Sequence, residues 1–597
     1  MAKKSKYGHL SREQIEARLE KLEKEGYGLK WEDKPEAVAD LCDTQLPVLK
    51  EDKAKELISD PNLPTNYIIE GDNYHSLFTL NFTHKKKIDV IYIDPPYNTG
   101  KMDKNGRTDF KYNDNFVKLD DKYRHSSWLS FMNKRLRLAK NLLKDTGIIA
   151  ISIDDNEICN LKLLCDKIFN ENNHIGIIPT IMNLKGNQDQ FGFAGTHEYT
   201  LFYAKNKNYA KIGEFKIDDI EDDWIEDEKG LYKKGRTLLA DGKGKYREER
   251  QYMYFPLLIK NEKVSLITKE EHSKIYNKEA NSFDDTFLKQ LENKYVKKGY
   301  KVIFPIDSNK NLLRWTWGFD DKFQTHLDDI IITETKNGIS LYKKQRPTLG
   351  DLPSKKPKSF FYKPEYSSGN GTNQLKKFVN ADAFNNPKPL ELIKDILLIS
   401  GNENSTILDF FAGSGTTAQS VIELNKEDGG NRQFILCTNN ENNICTEVTY
   451  PRVKKVIDGY ADKEGIPANV KYFTQTFVNQ VTSDKDKREL VNRSTELLCM
   501  AENTFDVISK RNTKNDFAIF GNTEKITSLI YDESQIEDCV NKLNQLNNGL
   551  PAIIYVFSYD HTYYTEDFEN LKIKFVVKPI PEAILNVYRK IAKLRKK

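Results

Sequence analysis

The feature that most constrains the fold is a short apolar run that ends at two consecutive prolines. Residues 89–94 (DVIYID) have the composition of a buried strand, and Pro95 and Pro96 follow at once. Proline has a fixed φ and no backbone N–H, so the chain cannot continue as a central strand beyond Asp94. In open α/β sheets the carboxyl ends of the strands are where ligands bind. The sequence therefore predicts that the segment DPPY leaves a sheet at its ligand-binding edge.

Similar apolar runs alternate with helical patterns on both sides of this segment. Further strands are predicted at 67–72 (YIIEGD), 147–154 (GIIAISID), from 405 (STILDFF) and at 433–439 (QFILCTN), with helices at 75–82, 126–144 and 388–400. Apolar strands that alternate with helices are typical of a parallel sheet covered on both faces. The fold class predicted from this rhythm is α/β.

The rhythm also divides the chain into five parts. A mixed N-terminal arm (1–65) carries a charged helix at 10–25 with a capping box at Ser11 and Gln14, and the first α/β part follows at 66–206. Residues 207–375 lack the alternation and are predicted to form an inserted unit. The α/β pattern returns at 376–480, and a C-terminal α+β domain is predicted at 481–597.

Composition excludes few classes of function. Ninety-two basic and 88 acidic residues give a net charge of +4, which neither demands nor excludes a nucleic-acid partner. The seven cysteines form no CxxC pair, which favours reduced, buried thiols and no metal site. We find no apolar run long enough to span a membrane, and the basic N-terminus lacks the apolar stretch of a signal peptide. A cytoplasmic protein is predicted.

A glycine-rich loop at 409–417 (DFFAGSGTT) joins a predicted strand to a helix. Gly413 and Gly415 would let a ligand approach the backbone, and the helix N-terminus offers free N–H donors. The loop is neither GxxxxGK[ST], because no lysine follows Gly415, nor GxGxxG. A nucleoside ligand without a pyrophosphate, such as S-adenosylmethionine, suits it. From this motif alone, a purely structural turn is an equal alternative.

The DPPY segment indicates a more specific chemistry. It places a carboxylate, backbone carbonyls and an aromatic ring together. The exocyclic amine of adenine is a poor nucleophile because its lone pair is delocalised into the ring. The Asp94 carboxylate and the Pro95 carbonyl would accept its two N–H protons and favour a tetrahedral nitrogen, while Tyr97 would stack on a base taken out of the duplex. The alternative is a strand that ends in a proline-rich turn.

Together the two motifs carry a family resemblance. DPPYNTG (94–100) followed downstream by DFFAGSGTT resembles the β group of DNA amino-methyltransferases, in which the catalytic motif precedes the cofactor loop and a target-recognition domain lies between them. Most of the chain, from about 7 to 590, is similar to the modification (Mod) subunit of type III restriction–modification systems. The segments that carry this similarity are THEYTLFYAKN (196–206), RWTWGFD (314–320), FNNPKPLELIKDIL (384–397), CTNNEN (437–442) and VVKPIPEAILNVY (576–588).

The resemblance implies a Rossmann-like, circularly permuted S-adenosylmethionine-dependent methyltransferase fold. Residues 207–375 would be the target-recognition domain and 376–480 the cofactor-binding part. The catalytic residues would be Asp94, Pro95, Pro96 and Tyr97, with no metal. The cofactor would be bound by Asp72 near its adenine, Lys388 near its methionine carboxylate, and the loop residues Asp409, Phe411, Ala412, Gly413, Ser414, Gly415 and Thr416. The strand after the loop runs into 439–441, where Asn439 and Glu441 are candidates for the ribose hydroxyls.

The implied reaction is direct displacement of a methyl group by the N6 amine of a flipped adenine, driven mainly by positioning. Cysteine-based C5-cytosine methylation is disfavoured because neither core motif contains cysteine. Trp315 and Trp317 are predicted to be core residues. Contacts to double-stranded DNA are expected from basic side chains of the insert: Lys233, Lys234, Arg236, Lys243, Lys245, Arg247 and Arg250.

The implied assembly is a homodimer with a restriction (Res) helicase-nuclease partner. The alternatives are a solitary adenine methyltransferase, an N4-cytosine enzyme, and a non-catalytic DNA-recognition protein. The recognition sequence is not predicted.

Overall fold

The computed structural model describes thirteen stretches of the chain and divides it into two compact units. The described residues are 11–24, 29–31, 33–100, 123–183, 185–186, 192–215, 225–335, 338–346, 356–380, 383–461, 463–546, 549–560 and 562–595. The larger unit comprises Met1–Phe215 and Ser354–Lys597, and the smaller unit is Lys216–Pro353.

Among the described residues, the first segment of the larger unit contains five α-helices and six strands. The helices are α1 (Arg12–Lys24), α2 (Ala37–Leu41), α3 (Asn73–Thr83), α4 (Arg124–Leu142) and α5 (Ile158–Phe169). The strands are β1 (Gln45–Glu51), β2 (Thr65–Glu70), β3 (Ile88–Ile93), β4 (Leu143–Ile153), β5 (His174–Ile181) and β6 (His197–Ala204). The predicted capping box forms at the start of α1, where the side chains of Ser11 and Gln14 accept from each other's backbone N–H.

In its described part, the smaller unit contains short strands and three α-helices. The strands are β7 (Ile225–Asp227), β8 (Gly230–Thr237), β9 (Leu257–Lys260), β10 (Lys263–Leu266), β11 (Tyr276–Asn277), β12 (Ser282–Phe283), β13 (Lys301–Ile303), β14 (Ile330–Thr335) and β15 (Gly338–Gln345). The helices are α6 (Lys269–Ser273), α7 (Asp285–Lys297) and α8 (Asp321–Thr325). Trp315 is 2% exposed in the core of this unit, and Trp317 packs partly buried against the same core, as predicted for both.

The second segment of the larger unit contains the remaining elements. The helices are α9 (Ser368–Leu375), α10 (Leu390–Ser400), α11 (Thr416–Asp428), α12 (Tyr450–Asp458), α13 (Asp484–Asn492), α14 (Thr495–Glu502), α15 (Ile536–Leu546) and α16 (Glu582–Arg595). The strands are β16 (Thr406–Asp409), β17 (Gln433–Thr438), β18 (Gly459–Tyr460), β19 (Lys463–Glu464), β20 (Asn469–Asn479), β21 (Asp506–Ser509), β22 (Phe517–Gly521), β23 (Ile526–Ile530), β24 (Ala552–Phe557) and β25 (Phe575–Ile580). None of the helices in the described part of the chain is long and apolar enough to cross a membrane.

A nine-stranded sheet organises the larger unit, in the order β1-β20-β2-β17-β16-β3-β4-β6-β5. The strands from β20 to β4 are parallel, whereas β1 and β6 run antiparallel to their neighbours. Two strands from after the insert, β16 and β17, lie between β2 and β3 from before it. This interleaving is what a circular permutation produces, and the predicted α/β class with a largely parallel sheet is confirmed.

The sheet is covered on both faces, as buried strands on a parallel sheet require. One core packs the apolar faces of α3, α4 and α5 against the sheet, and a second packs α10, α11 and α12 against the opposite face. The five-stranded sheet β21-β22-β23-β24-β25 and α16 adjoin the first core, where the Phe78 and Tyr588 rings meet edge to face at 4.7 Å. The C-terminal elements therefore share a core with the parallel sheet.

The predicted parts of the chain do not coincide with the two compact units. Residues 45–51 of the predicted arm form β1, which pairs with β20 along the edge of the sheet. The insert, predicted at 207–375, is compact only over 216–353. The difference at its end arises because Phe361 and Tyr366 are buried in the second core of the larger unit.

Candidate active site

Four adjacent parallel strands bring the two sequence motifs to one edge of the sheet. In the order β2, β17, β16, β3, their carboxyl ends lead into Asp72, Asn439, the loop that begins at Phe410, and Asp94. Because the carboxyl ends of parallel strands share an edge, segments from opposite ends of the sequence become neighbours here.

The DPPY segment is held by a buried tryptophan. Trp128 on α4 is fully buried, and its indole N–H donates to the Pro96 carbonyl at 2.7 Å. In the part of the chain that the structure describes, no hydrogen bond reaches the Pro95 carbonyl. One of the two proline carbonyls therefore fixes the segment, and the other has no hydrogen-bond partner among the described residues.

Asp94, Tyr97, Glu198 and Lys388 form a polar group that we call the acid–lysine cluster. The Lys388 ammonium lies 3.3 Å from Asp94 Oδ1 and 2.7 Å from Glu198 Oε1. The Tyr97 hydroxyl lies 2.8 Å from Asp94 Oδ1 and 3.2 Å from Glu198 Oε2, and it accepts from Lys388. The cluster joins β3, β6 and the segment before α10.

The charges of this cluster influence one another strongly because the side chains are largely withdrawn from water. Burial raises the pKa of the Asp94 carboxyl, the Lys388 charge lowers it, and the Glu198 charge raises it again. Burial alone would lower the pKa of the Lys388 ammonium, but the charges of Asp94 and Glu198 outweigh burial and raise that pKa. Lys388 is therefore a firmly protonated cation that bridges two carboxyl groups.

The glycine loop has the backbone geometry that requires glycine. Gly413 and Gly415 have φ angles of +47° and +76°, in the left-handed region. A Cβ atom at Gly413 would lie 2.8 Å from Cζ of Phe384. Gly415 is the N-cap of α11, so the loop delivers the chain directly to a helix N-terminus.

The acid at the start of the loop is buried. Asp409 is 3% exposed and accepts from the backbone N–H of Phe411 at 2.9 Å and from the Thr417 hydroxyl at 2.6 Å. Burial raises the pKa of Asp409 to about 7, against these two hydrogen bonds. Asp409 therefore anchors the turn from inside the protein, and Phe411, which is 3% exposed, packs its ring near that of Phe131 at 5.9 Å.

Arg452 on α12 clamps the loop from behind. This fully buried guanidinium donates to the Thr416 hydroxyl at 2.7 Å, to the Ser414 carbonyl at 3.3 Å and to the Gln419 amide oxygen at 2.9 Å. Burial lowers the pKa of Arg452 to about 10. Its hydrogen bonds fix Ser414 and Thr416 on both sides of Gly415.

Asp72, after β2, is the N-cap of α3. Its Oδ1 accepts from the Tyr74 backbone N–H at 2.7 Å and lies 3.4 Å from Arg135. Arg135 is fully buried and pairs with the equally buried Glu36 at 2.8 Å. The position of Asp72 is thus fixed by a helix cap and by a buried ion pair behind it.

The residues after β17 have different surroundings. Asn440 Oδ1 accepts from both the backbone N–H and the hydroxyl of Thr446, each at 3.0 Å, and so supports the turn that leads to α12. Asn439 and Glu441 on either side of it are partly exposed. Asn440 is thus engaged in the turn, and Asn439 and Glu441 remain the predicted candidates for the ribose hydroxyls.

Trp128, Glu198 and Arg452 are site residues that sequence reasoning did not assign. Glu198 lies within THEYTLFYAKN, a segment that carried the family resemblance without a role for any of its residues. Trp128 and Arg452 lie in helices, and the neighbouring sequence does not indicate which distant groups their side chains contact.

The model of a DNA methylase family, N6/N4 methyltransferases, matches residues 88–449, more than half of the chain. The chain belongs to the N6/N4 DNA methylase family. The matched range begins at β3 and ends just before α12, so it includes the DPPY segment, the glycine loop and the insert.

Individual members of this DNA methylase family are similar over most of the chain. The EcoPI Mod subunit of a type III restriction-modification enzyme, from Escherichia phage P1, is 40% identical over 72% of this chain and 66% of its own length. The EcoP15I Mod subunit from Escherichia coli is 30% identical over 70% of this chain and 66% of its own. The type II methyltransferase M.KpnI from Klebsiella pneumoniae is 32% identical over 64% of this chain and 82% of its own. The chain thus spans just under two thirds of these two type III relatives.

The insert of this DNA methylase presents its basic residues in two different ways. Arg247 is only 9% exposed, is paired with Asp285 at 2.9 Å and has the Phe283 ring 4.4 Å away, so it serves the fold of the unit. Of the other predicted side chains, Lys234, Arg236, Lys243 and Arg250 are exposed, and Lys233 and Lys245 are partly exposed. Arg247 is therefore removed from the set expected to contact DNA.

Proposed function

We propose that this chain is a site-specific DNA methyltransferase that transfers a methyl group from S-adenosylmethionine to the N6 amine of a flipped adenine. The observation that carries the proposal is that the Asp94 carboxylate stands next to the Pro95 carbonyl, which has no hydrogen-bond partner among the described residues, at the same sheet edge as the glycine loop. Family membership supports the reaction class. The names of the relatives, type III Mod subunits among them, support a role as the modification subunit of such a system.

The residues at the sheet edge fit S-adenosylmethionine better than a phosphate-bearing cofactor. Asp72, Asp94 and Glu441 are acidic, and no lysine follows Gly415 in the loop. Carboxylates repel phosphates but suit hydroxyl groups, amines and a sulfonium ion. Gly415 is the N-cap of α11, and the backbone N–H groups at a helix N-terminus can donate to a ligand. Bound here, S-adenosylmethionine supplies a methyl group activated by its sulfonium charge.

We assign the cofactor contacts by position on this edge. The backbone of 411–416 would cradle the methionine part, with Arg452 keeping that backbone in place. Asp72 would contact the cofactor's adenine, and Asn439 or Glu441 would bind the ribose hydroxyls. For Lys388 we propose a role at Asp94 instead of the methionine carboxylate, because its ammonium already bridges two carboxyl groups of the acid–lysine cluster.

On this proposal, the chain acts on the target base through hydrogen-bond acceptors and stacking. The ionised Asp94 and the Pro95 carbonyl accept the two N–H protons of the adenine amine and favour a tetrahedral nitrogen. The Tyr97 ring stacks on the flipped base. Trp128 holds the Pro96 carbonyl, which fixes the neighbouring Pro95 carbonyl in direction. Positioning of this kind supplies most of the rate enhancement for an already activated methyl donor.

The test of this function replaces Asp94 by alanine. Asp94→Ala should abolish transfer of tritiated methyl groups to DNA while S-adenosylmethionine still binds in calorimetry. The matched control is Asp145→Ala, an exposed aspartate near the start of β4, at the opposite end of that strand from the site, which should keep full activity. Transfer retained by Asp94→Ala would overturn the proposal.

Nucleoside analysis of the methylated DNA then distinguishes an adenine-N6 methyltransferase from a cytosine-N4 methyltransferase. N6-methyladenine is expected. N4-methylcytosine would assign the same chemistry to the other base. The absence of any transfer by the wild-type protein to DNA of mixed sequence would favour a non-catalytic recognition protein.

DNA contact is proposed for one face of the four-stranded sheet β14-β15-β8-β7 in the insert. Tyr232, Lys234 and Arg236 alternate along β8 and so share a face. Lys344 is the direct cross-strand partner of Lys234, and the Lys234 ammonium lies 3.8 Å from the centre of the Tyr342 ring. Basic side chains spaced by aromatic rings on an open sheet face suit the phosphates of a duplex.

The test of this surface is a double variant. Lys234→Ala with Arg236→Ala should weaken DNA binding about uniformly across sequences and reduce its salt dependence by up to about two counterions. The matched control is Lys260→Ala with Lys263→Ala, two exposed lysines of the three-stranded sheet β10-β9-β13. Equal effects of the two double variants on affinity and salt dependence would contradict the assignment.

The proposed assembly follows from the type III relatives. We propose a homodimer that serves as the recognition subunit for a restriction helicase-nuclease. Sedimentation of the purified chain should give twice its monomer mass, and a restriction subunit, where a gene for one lies beside this gene, should form a cleaving complex with it. A chain that methylates alone, with no such neighbouring gene, would instead be a solitary methyltransferase.

A further inference from the structure

One oxygen of the carboxylate on which the proposed reaction depends already has two donors in this structure. Asp94 Oδ1 has the Tyr97 hydroxyl at 2.8 Å and the Lys388 ammonium at 3.3 Å. Oδ1, engaged by two donors, is a poor acceptor for a third, and the two donors also draw negative charge away from the whole carboxylate. For Asp94 to accept at full strength from the amine, these donors need another acceptor within their reach.

Glu198 is such an acceptor for both donors. Its Oε1 lies 2.7 Å from the Lys388 ammonium and its Oε2 lies 3.2 Å from the Tyr97 hydroxyl. A phenol has one proton, so the Tyr97 hydroxyl donates either to Asp94 or to Glu198, and only a small rotation separates the two. The side chain of Glu198 is 13% exposed, which restricts its own contact with water.

We propose that Glu198 is a positioning residue that accepts the hydrogen bonds of the Lys388 ammonium and the Tyr97 hydroxyl in place of Asp94 when the target amine binds. This inference rests on the proposed function. Asp94 then keeps its negative charge with Oδ1 released, and the two donors keep an acceptor inside the protein. The step is a rearrangement of hydrogen bonds, with no proton lost to solvent and no covalent change.

The charged groups around Asp94 determine how the pH dependence should respond. Lys388 and Glu198 face it within the acid–lysine cluster together with Tyr97, while Tyr92 on β3 and Asp409 on β16 lie near it from the sheet. Burial and the charge of Glu198 raise the pKa of Asp94, and Lys388 lowers it. Without the Glu198 charge, Asp94 is the one carboxylate left for Lys388 within the cluster, and the Lys388 charge then favours ionised Asp94 without opposition from Glu198. The pKa of Asp94 should then fall, while its Oδ1 stays engaged by Lys388 and Tyr97.

The experiment measures single-turnover methyl transfer to DNA by the full chain across a range of pH. Glu198→Gln should lower the plateau rate at least tenfold and move the acidic limb of the profile to lower pH. The matched control is Glu51→Gln: there too a lysine, Lys471, bridges two glutamates, Glu51 and Glu56, with similar exposure but near the start of β20, at the other end of that strand from the site edge. Glu51→Gln should leave the rate within about twofold and the limb in place.

Two further variants keep the inference open to refutation if Glu198→Gln folds poorly. Lys388→Met should move the acidic limb the opposite way, to higher pH, because it removes the cation that favours ionised Asp94. In a Tyr97→Phe background, Glu198→Gln should cost less than in the wild type, because one blocking donor is already gone.

The contrary results are equally specific. A wild-type rate for Glu198→Gln would overturn the inference. A lower rate for Glu198→Gln with an unmoved acidic limb would also overturn it, because that result would indicate a purely structural role. The same holds if the rate losses of Glu198→Gln and Tyr97→Phe are additive in the double variant. An unmoved acidic limb in Lys388→Met would overturn it as well. Failure of the wild-type chain to methylate DNA would instead refute the proposed function.

Discussion

Replacement of the buried loop aspartate by asparagine should stabilise the protein, and increasingly so as the pH rises. Asp409 is 3% exposed, and burial raises its pKa to about 7 from an ordinary value of 3.8. A folded-state pKa above the unfolded value means that the ionised form is disfavoured in the fold. The favourable contribution of Asp409 is therefore complete below pH 3.8 and is lost as the pH rises to about 7.

The magnitude follows from that interval of about three pH units, each corresponding to about 1.4 kcal/mol. Asparagine at this position keeps both contacts: its oxygen accepts from the Phe411 N–H, and its amide donates to the Thr417 hydroxyl in reverse. Asp409→Asn should therefore raise the free energy of unfolding by roughly 1.5 kcal/mol at pH 5 and by up to about 4 kcal/mol above pH 7.

The assay is urea-induced unfolding of the wild type and the variant at pH values from 5 to 9. The difference between them should rise with a slope of about 1.4 kcal/mol per pH unit and level off near pH 7. Asp145→Asn, at a side chain 57% exposed, should show no such rise. If the difference in free energy of unfolding stayed constant across the range, the pKa of Asp409 would not be raised in the folded state. If that difference decreased with pH, the folded-state pKa would be lowered, contrary to the reasoning above.

Three further variants test the supports of the site and of the insert. Trp128→Phe leaves the Pro96 carbonyl buried without a donor, at a cost of about 1–3 kcal/mol, and should slow methyl transfer without changing DNA affinity in a filter-binding assay. Arg452→Met should weaken S-adenosylmethionine binding about tenfold in calorimetry by releasing Ser414, while thermal stability changes little because a buried charge is also removed. Arg247→Leu should destabilise the insert to limited proteolysis and leave the salt dependence of DNA binding as it is; a reduced salt dependence would return it to the DNA contacts.

The elements and the edge of the sheet were predictable because their signals are local. Apolar runs of strand length and their helical neighbours placed β2, β3, β16 and β17 to within a few residues. The double proline after Asp94 required the chain to leave the sheet there. The glycines of the loop were recognised because the left-handed region is accessible to few other residues.

The contacts between distant segments were not predictable from one sequence. Glu198 reaches Lys388 only because β6 runs antiparallel at the far side of β4, and strand direction is not written in the strand itself. In the sequence, Arg452 cannot be distinguished from any other arginine on an amphipathic helix. It is buried because α12 packs beneath the loop. The insert extends less far than its composition suggests because Phe361 and its neighbours pack into the core of the larger unit.

The distribution of charge explains why one chain carries two different kinds of surface. At the sheet edge, Asp72, Asp94 and Glu198 are acidic and Lys388 is held between two of them, which suits a cationic methyl donor and a neutral base but repels phosphates. A duplex carries a negative charge about every 1.7 Å, so an acidic edge cannot by itself provide the affinity for DNA. The exposed lysines and arginines of the insert supply the missing attraction on the proposed function. Mutations at the acidic edge should therefore change the rate of methyl transfer, whereas those on the basic sheet face should change affinity and its salt dependence.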